Sequence, residues 1–111
     1  MKVARDSING KLVKSNDTYI VIDNTTLNGL VVSKTILHPN KETGGHFHAG
    51  QEEVYQFTHG IGIMEVGPDK YAVSAGDIVL IPDGLFHKVW NTSSVEDLVF
   101  ICVFDGKRSH P

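Results

Sequence analysis

The 111-residue chain has little of what marks several large classes of protein. Its single cysteine, Cys102, excludes an internal disulfide framework. It has no run of Lys and Arg, so we expect no nucleic-acid partner. No apolar stretch approaches the roughly 20 residues that a membrane-spanning helix needs, and the N-terminus lacks the apolar core of a signal peptide. These absences predict a cytoplasmic protein that binds neither nucleic acid nor membrane.

The residues that are present favour short strands. Glycine is frequent, at 11 residues, and no window carries a helical apolar stripe. Segments rich in β-branched and aromatic residues alternate with turn signals, and they occupy residues 18–22, 30–37, 53–57, 61–66, 71–74, 77–81, 87–91 and 98–104. Short strands at intervals of about 8–12 residues are typical of a β-sandwich or barrel. A chain of this length fits one such domain.

We place the barrel at residues 16–106. Residues 1–15 are polar, and we expect them to be loosely ordered or to form an edge strand, whereas 107–111 form a tail. Segment 98–104 is apolar at every position, although a strand buried on one side only should alternate. A second surface, either an N-terminal strand or another subunit, should therefore cover it, and we predict a homodimer.

The histidines provide the strongest functional signal. His46 and His48 are two residues apart, so on a strand both would point to one face. Glu53 begins the next strand, and His87 begins a later one after a Pro-Asp-Gly turn. Three imidazoles and a carboxylate suit a divalent first-row metal such as iron, manganese, nickel, cobalt, copper or zinc. Four such ligands leave coordination positions open for chemistry.

Several neighbouring residues have competing interpretations. Glu52 could replace Glu53 as the ligand, but strand alternation sends the two carboxylates to opposite faces. Tyr55 shares the face of Glu53 and is either a core residue or a catalytic substrate contact. His59, at the turn after this strand, is either an exposed histidine or a catalytic acid or base at the rim.

Two motifs resemble those of the cupin superfamily. They read His46-x-His48-x4-Glu53-x6-Gly60 and Gly76-x5-Pro82-x-Gly84-x2-His87-x3-Asn91, with fifteen residues between them. The first motif usually opens on a glycine six residues before its first histidine, where this chain has Asn40, and Gly44-Gly45 could supply the bend instead. The resemblance implies a single-domain, RmlC-like jelly-roll barrel. It also implies that the metal ligands are His46, His48, Glu53 and His87.

The resemblance leaves the chemistry open, because function depends on the site and not on the fold. Segments 45–48, 53–55 and 60–64 are similar to the cupin-type metal-dependent glucose-6-phosphate isomerases, although no basic cluster for a phosphate is evident. The first hypothesis is therefore an isomerase or epimerase acting on a sugar or sugar derivative. The alternatives are a non-haem iron dioxygenase, a lyase or decarboxylase, and a metal-containing binding module without turnover. Each predicts a small-molecule partner inside the barrel.

Overall fold

Two antiparallel sheets form the described part of the chain, residues 1–47 and 49–106, in a computed structural model. The strands are β1 (Lys11–Ser15), β2 (Tyr19–Asn24), β3 (Leu30–Leu37), β4 (Glu53–His59), β5 (Ile61–Val66), β6 (Asp69–Ser74), β7 (Ile78–Ile81), β8 (His87–Asn91) and β9 (Leu98–Asp105). The larger sheet has the order β1-β2-β3-β9-β4-β7 and the smaller one β6-β5-β8. The described residues contain no helix that could span a membrane.

The predicted all-β architecture is confirmed, and alternation explains which residues form the core. Along β4, Glu53, Tyr55 and Phe57 are buried while the residues between them are exposed. The strand β9 follows the same pattern, with Phe100, Cys102 and its other even-numbered positions buried. These side chains meet Met64 and Val89 of the smaller sheet in one apolar cluster. The two sheets thus enclose a single barrel interior.

The order of the larger sheet brings distant parts of the chain together. Strand β9 lies between β3 and β4, where it pairs Phe104 with both Val31 and Glu53. The C-terminal strand therefore joins the two halves of the chain into one continuous wall. Strand β1, at the edge of this sheet, is exposed along its whole length and pairs only with β2. It lies within residues 1–15, for which an edge strand was one of the two expectations.

The N-terminal segment covers part of the outer face of the larger sheet. Ile8, only 4% exposed, lies with Val32 and Ile101 along a cavity between this segment and β3 and β9. The ammonium group of buried Lys34 donates hydrogen bonds to the backbone oxygens of Arg5 and Asp6, at 3.1 and 3.0 Å. The side chains of β9 that point outward are therefore half-buried within one chain. The homodimer stays a prediction.

Asn40 replaces a motif glycine without losing its backbone conformation. Its φ is +62°, in the left-handed region that Asn tolerates better than most residues. The bend that we assigned to Gly44-Gly45 is thus already made at Asn40, although Gly45 also has a positive φ, +71°. At Gly60 the φ is +91°, and a Cβ atom would come within 2.4 Å of the carbonyl oxygen of Asp97. Only glycine fits that close approach.

Candidate metal centre

Two histidines come together because segment 41–46 pairs with β8. Backbone bonds join Asn91 to Lys41, Val89 to Thr43, and His87 to His46 in both directions, at 2.9 to 3.1 Å. His46 and His87 are therefore directly opposite each other, a position in which cross-strand side chains interact. Their rings lie 4.4 Å apart, edge to face. Two predicted ligands separated by forty residues in sequence thus become neighbours.

The carboxylate comes from the opposite sheet. Glu53 begins β4, pairs with Ile81 and Phe104, and points inward, with 5% of its surface exposed. Glu52 is exposed, as the alternation argument expects of the competing carboxylate. The backbone N–H of Gly50 donates a hydrogen bond of 2.7 Å to the carboxylate oxygen Oδ1 of Asp83, which ties the loop before β4 to the turn before β8. Both loops that precede the ligands are therefore held against each other.

One possible ligand atom from each of His46, Glu53 and His87 lies within 4.8 Å of the other two. His87 Nε2 is 2.8 Å from Glu53 Oε2, and both side chains are less than 5% exposed. His87 Nδ1 lies 3.1 Å from the carbonyl oxygen of Leu85, which can only accept a hydrogen bond. In neutral His87 the proton is therefore on Nδ1, and the lone pair of Nε2 faces the carboxylate.

Two lone pairs at this distance repel unless a positive charge lies between them. A proton on His87 would supply it, and so would a metal ion bound by both atoms. A ligand histidine whose second nitrogen donates to a backbone carbonyl is the usual arrangement in metal sites. The donor set and its burial therefore fit a divalent transition metal. His48, the fourth predicted ligand, lies outside the described residues.

The structure separates the two residues predicted to be catalytic. Tyr55 lies beside the cluster, with its ring 5.7 Å from the ring of His87 and stacked on Phe100 at 5.2 Å. His59 is at the far end of β4, six residues or about 20 Å from Glu53 along an extended strand. There its Nε2 is 3.0 Å from Glu96 Oε2, and its side chain is 58% exposed. The structure brings Tyr55 to the cluster and does not bring His59.

A cavity of about 380 Å³ opens beside the cluster of His46, Glu53 and His87. His46, Glu53 and Tyr55 line one side of it. The other side is formed by the inner faces of β1, β2, β3 and β9, with the residues Val13, Lys14, Tyr19, Val21, Asp23, Ser33, Thr35, Phe100, Cys102 and Phe104. Its volume is at the lower end of the range for small-molecule pockets. The cavity suits a metabolite-sized compound.

Sequence reasoning missed the polar wall of this cavity. Ser33 and Thr35 are 6% and 7% exposed, and Asp23 is directly opposite Ser33 on β2. Alternation along β3 could have placed the two hydroxyl groups on one face. It could not have shown that this face is the inner one, since β3 is buried at five of its eight positions and does not alternate cleanly.

Comparison with known proteins agrees with both the fold and the motifs. The profile of a family described as "Cupin domain" matches residues 33–104. The uncharacterized protein MJ1618 of Methanocaldococcus jannaschii is 32% identical over 74 residues, which are 67% of this chain and 53% of that protein. The match thus spans about half the length of this relative.

Solved structures with the same architecture are more distant in sequence. A predicted oxalate decarboxylase from Thermotoga maritima has 22% identity and a TM-score of 0.76, over 95% of this chain and 98% of that one. An RmlC-like cupin from Shewanella frigidimarina has 17% identity and a TM-score of 0.74, over 91% and 87%. At these identities the likeness establishes the jelly-roll fold alone.

Proposed function

This chain belongs to the cupin family, and we propose that it is a metal-dependent enzyme acting on a small, oxygen-rich molecule in the barrel. The observation that carries the proposal is the convergence of His46, Glu53 and His87 at the cavity wall. Two of the three side chains are deeply buried, and His87 is oriented by Leu85. A solvated surface cluster would show neither feature.

The residues divide into those that would hold an ion and those that would meet a substrate. His46, Glu53 and His87 would hold a divalent transition metal, with His48 as the fourth ligand that the motif implies. When bound, such an ion polarises a carbonyl or hydroxyl oxygen. Tyr55 lies beside His87 on the cavity wall and carries the phenol that would donate or accept a proton.

Proton transfer is the reaction class that these groups support best. Isomerisation or epimerisation of a hydroxylated carbonyl compound needs a polarised oxygen and an acid or base beside it, and it needs no second substrate. The cavity supplies a phenol and several hydroxyl groups on its inner wall. We therefore favour a sugar or sugar-derivative isomerase or epimerase.

The first test is the metal itself. Purified protein is loaded anaerobically with ferrous, manganous, nickel or zinc ions, and metal per chain is measured by elemental analysis. We expect about one ion per chain, and a metal affinity at least about tenfold lower in His48→Ala and His87→Ala. Equal metal content in the parent and both variants would refute the assigned centre. Failure of the parent to bind any of the ions would refute metal dependence.

The second test separates the reaction classes. We expect the loaded protein to incorporate solvent deuterium anaerobically into ketoses or uronates, as followed by NMR, and Tyr55→Phe to slow this exchange. Oxygen uptake by the ferrous protein without such exchange would favour the dioxygenase. Decarboxylation is the other candidate, since a structural neighbour is described as a predicted oxalate decarboxylase. Release of CO₂ from oxalate without deuterium exchange would favour it over the isomerase.

A further inference from the structure

A row of side chains crosses the inner wall of the cavity, starting beside the cluster of His46, Glu53 and His87 and leading away from it. Asp23 on β2 is paired with Ser33 on β3, Ser33 with Cys102 on β9, and Cys102 with Tyr55 on β4. Directly opposed residues of an antiparallel pair project from the same face. All four residues line the cavity. The row thus leads from the phenol beside His87 to a second carboxylate three strands away.

The far end of the row lacks hydrogen-bond partners within the protein. Asp23 Oδ1 is buried, and none of the described residues donates a hydrogen bond to it. Ser33 and Thr35 line the same cavity, and their hydroxyl groups are not among the buried atoms that lack a partner within residues 1–47 and 49–106. Buried polar groups in native proteins nearly always have partners, and a buried carboxylate without one is costly. The half-buried Asp23 therefore offers an acceptor whose hydrogen-bonding capacity the described residues leave unused, beside two hydroxyl groups that line the same cavity.

We propose that Asp23, Ser33 and Thr35 form a recognition site for the hydroxyl groups of a polyhydroxylated substrate whose other end lies at the metal cluster. This inference rests on the proposed function for the position of that other end. A carboxylate accepts hydrogen bonds and repels anions, so the group that reaches Asp23 is a donor. An ammonium group on the ligand would be repelled by the positive charge of Lys14, which lines the same cavity. Hydroxyl groups are donors without charge, and they also match the two wall hydroxyls.

The test uses two six-carbon monocarboxylates that differ only in hydroxyl groups. Gluconate carries five hydroxyls and hexanoate carries none. Both are titrated by calorimetry into protein loaded with zinc, and into its Asp23→Asn and Asp17→Asn variants. Asp17→Asn removes the same charge from an exposed site outside the cavity. Zinc content is measured for every sample.

We expect gluconate to bind the parent about tenfold or more tightly than hexanoate, and Asp23→Asn to lose most of that difference, the size of a hydrogen bond to a charged acceptor. Asp17→Asn should behave as the parent. The ligand-free melting temperature of Asp23→Asn should equal or exceed that of the parent, because a neutral amide replaces a carboxylate that has one buried oxygen without a partner. A structural role for Asp23 would lower it instead.

The outcomes separate this inference from the proposed function. Full zinc loading with equal affinity for the two compounds, or binding of neither at millimolar concentration, overturns polyol recognition and leaves the metal centre standing. Gluconate binding that Asp23→Asn does not weaken overturns the role of Asp23. A parent that binds no zinc but still prefers gluconate through Asp23 overturns the metal-dependent function and supports the recognition site.

Discussion

Replacing Glu53 by Gln tests the metal centre with a built-in control. The change keeps the shape of the side chain but removes the charge that lies 2.8 Å from His87 Nε2. Its neighbour Glu52 is exposed, so Glu52→Gln makes the same chemical change outside the cavity. Loss of a residue that only supports a metal ligand typically lowers metal affinity by about 10–100-fold. Loss of the carboxylate ligand itself should cost at least about a hundredfold.

The size of the effect follows from linkage. A metal present at about one hundred times its dissociation constant stabilises the fold by about 2.7 kcal/mol. If Glu53→Gln raises that constant about a hundredfold, the same metal concentration contributes only about 0.4 kcal/mol. For a domain of this size the difference corresponds to a fall of roughly 10 °C in the metal-induced shift of the melting temperature.

Differential scanning calorimetry of each protein, with and without zinc, measures this shift. We expect a large shift in the parent and in Glu52→Gln and a small one in Glu53→Gln, with elemental analysis giving the same order. A full shift in Glu53→Gln would refute the reasoning, since it would mean that the buried carboxylate does not bind the ion. If Glu52→Gln lost the shift instead, Glu52 would be the ligand, and our choice between the two neighbouring carboxylates would be wrong.

Three further predictions concern the scaffold. Asn91→Leu should lower the free energy of unfolding in urea by about 3 kcal/mol or more, because the buried amide bonds three backbone groups, at 2.8 to 2.9 Å; the exposed Asn28→Leu serves as the control. Asn40→Val should cost about 1–2 kcal/mol in the same assay and Asn40→Gly should be nearly neutral, because only the φ of +62° at this exposed position is at stake. Light scattering at micromolar concentration should give a homodimer, which Leu80→Lys, at a 68% exposed position of the edge strand β7, should weaken.

A specific result would contradict each of these three predictions. Equal stability of Asn91→Leu and Asn28→Leu would mean that the amide does not hold the turn. A destabilised Asn40→Gly would show that the Asn side chain matters beyond its backbone conformation. A monomeric parent would remove the homodimer.

The sequence determined the local properties of this protein. Strand periodicity depends only on which side chains are apolar. From it we predicted strands at 30–37, 61–66 and 87–91, and these are the bounds of β3, β5 and β8. Alternation separated Glu53 from Glu52 for the same reason. The motif spacing predicted that His46 and His87 belong to one site. For residues 1–15 the sequence left a loosely ordered segment and an edge strand as alternatives, because the exposed β1 carries no clear burial pattern.

The tertiary structure decided whatever depends on contacts between distant strands. The amide of Asn91 donates to the carbonyl oxygen of Leu37, which lies 54 residues earlier. The row on the cavity wall exists only because β9 lies between β3 and β4, so that Ser33 and Tyr55 both oppose Cys102. Alternation tells which residues of one strand share a face, but pairing order and register are set by packing of the whole barrel. For this reason the grouping of His46, Glu53 and His87 could be predicted from the sequence, whereas the wall proposed to recognise the substrate could be found only in the folded chain.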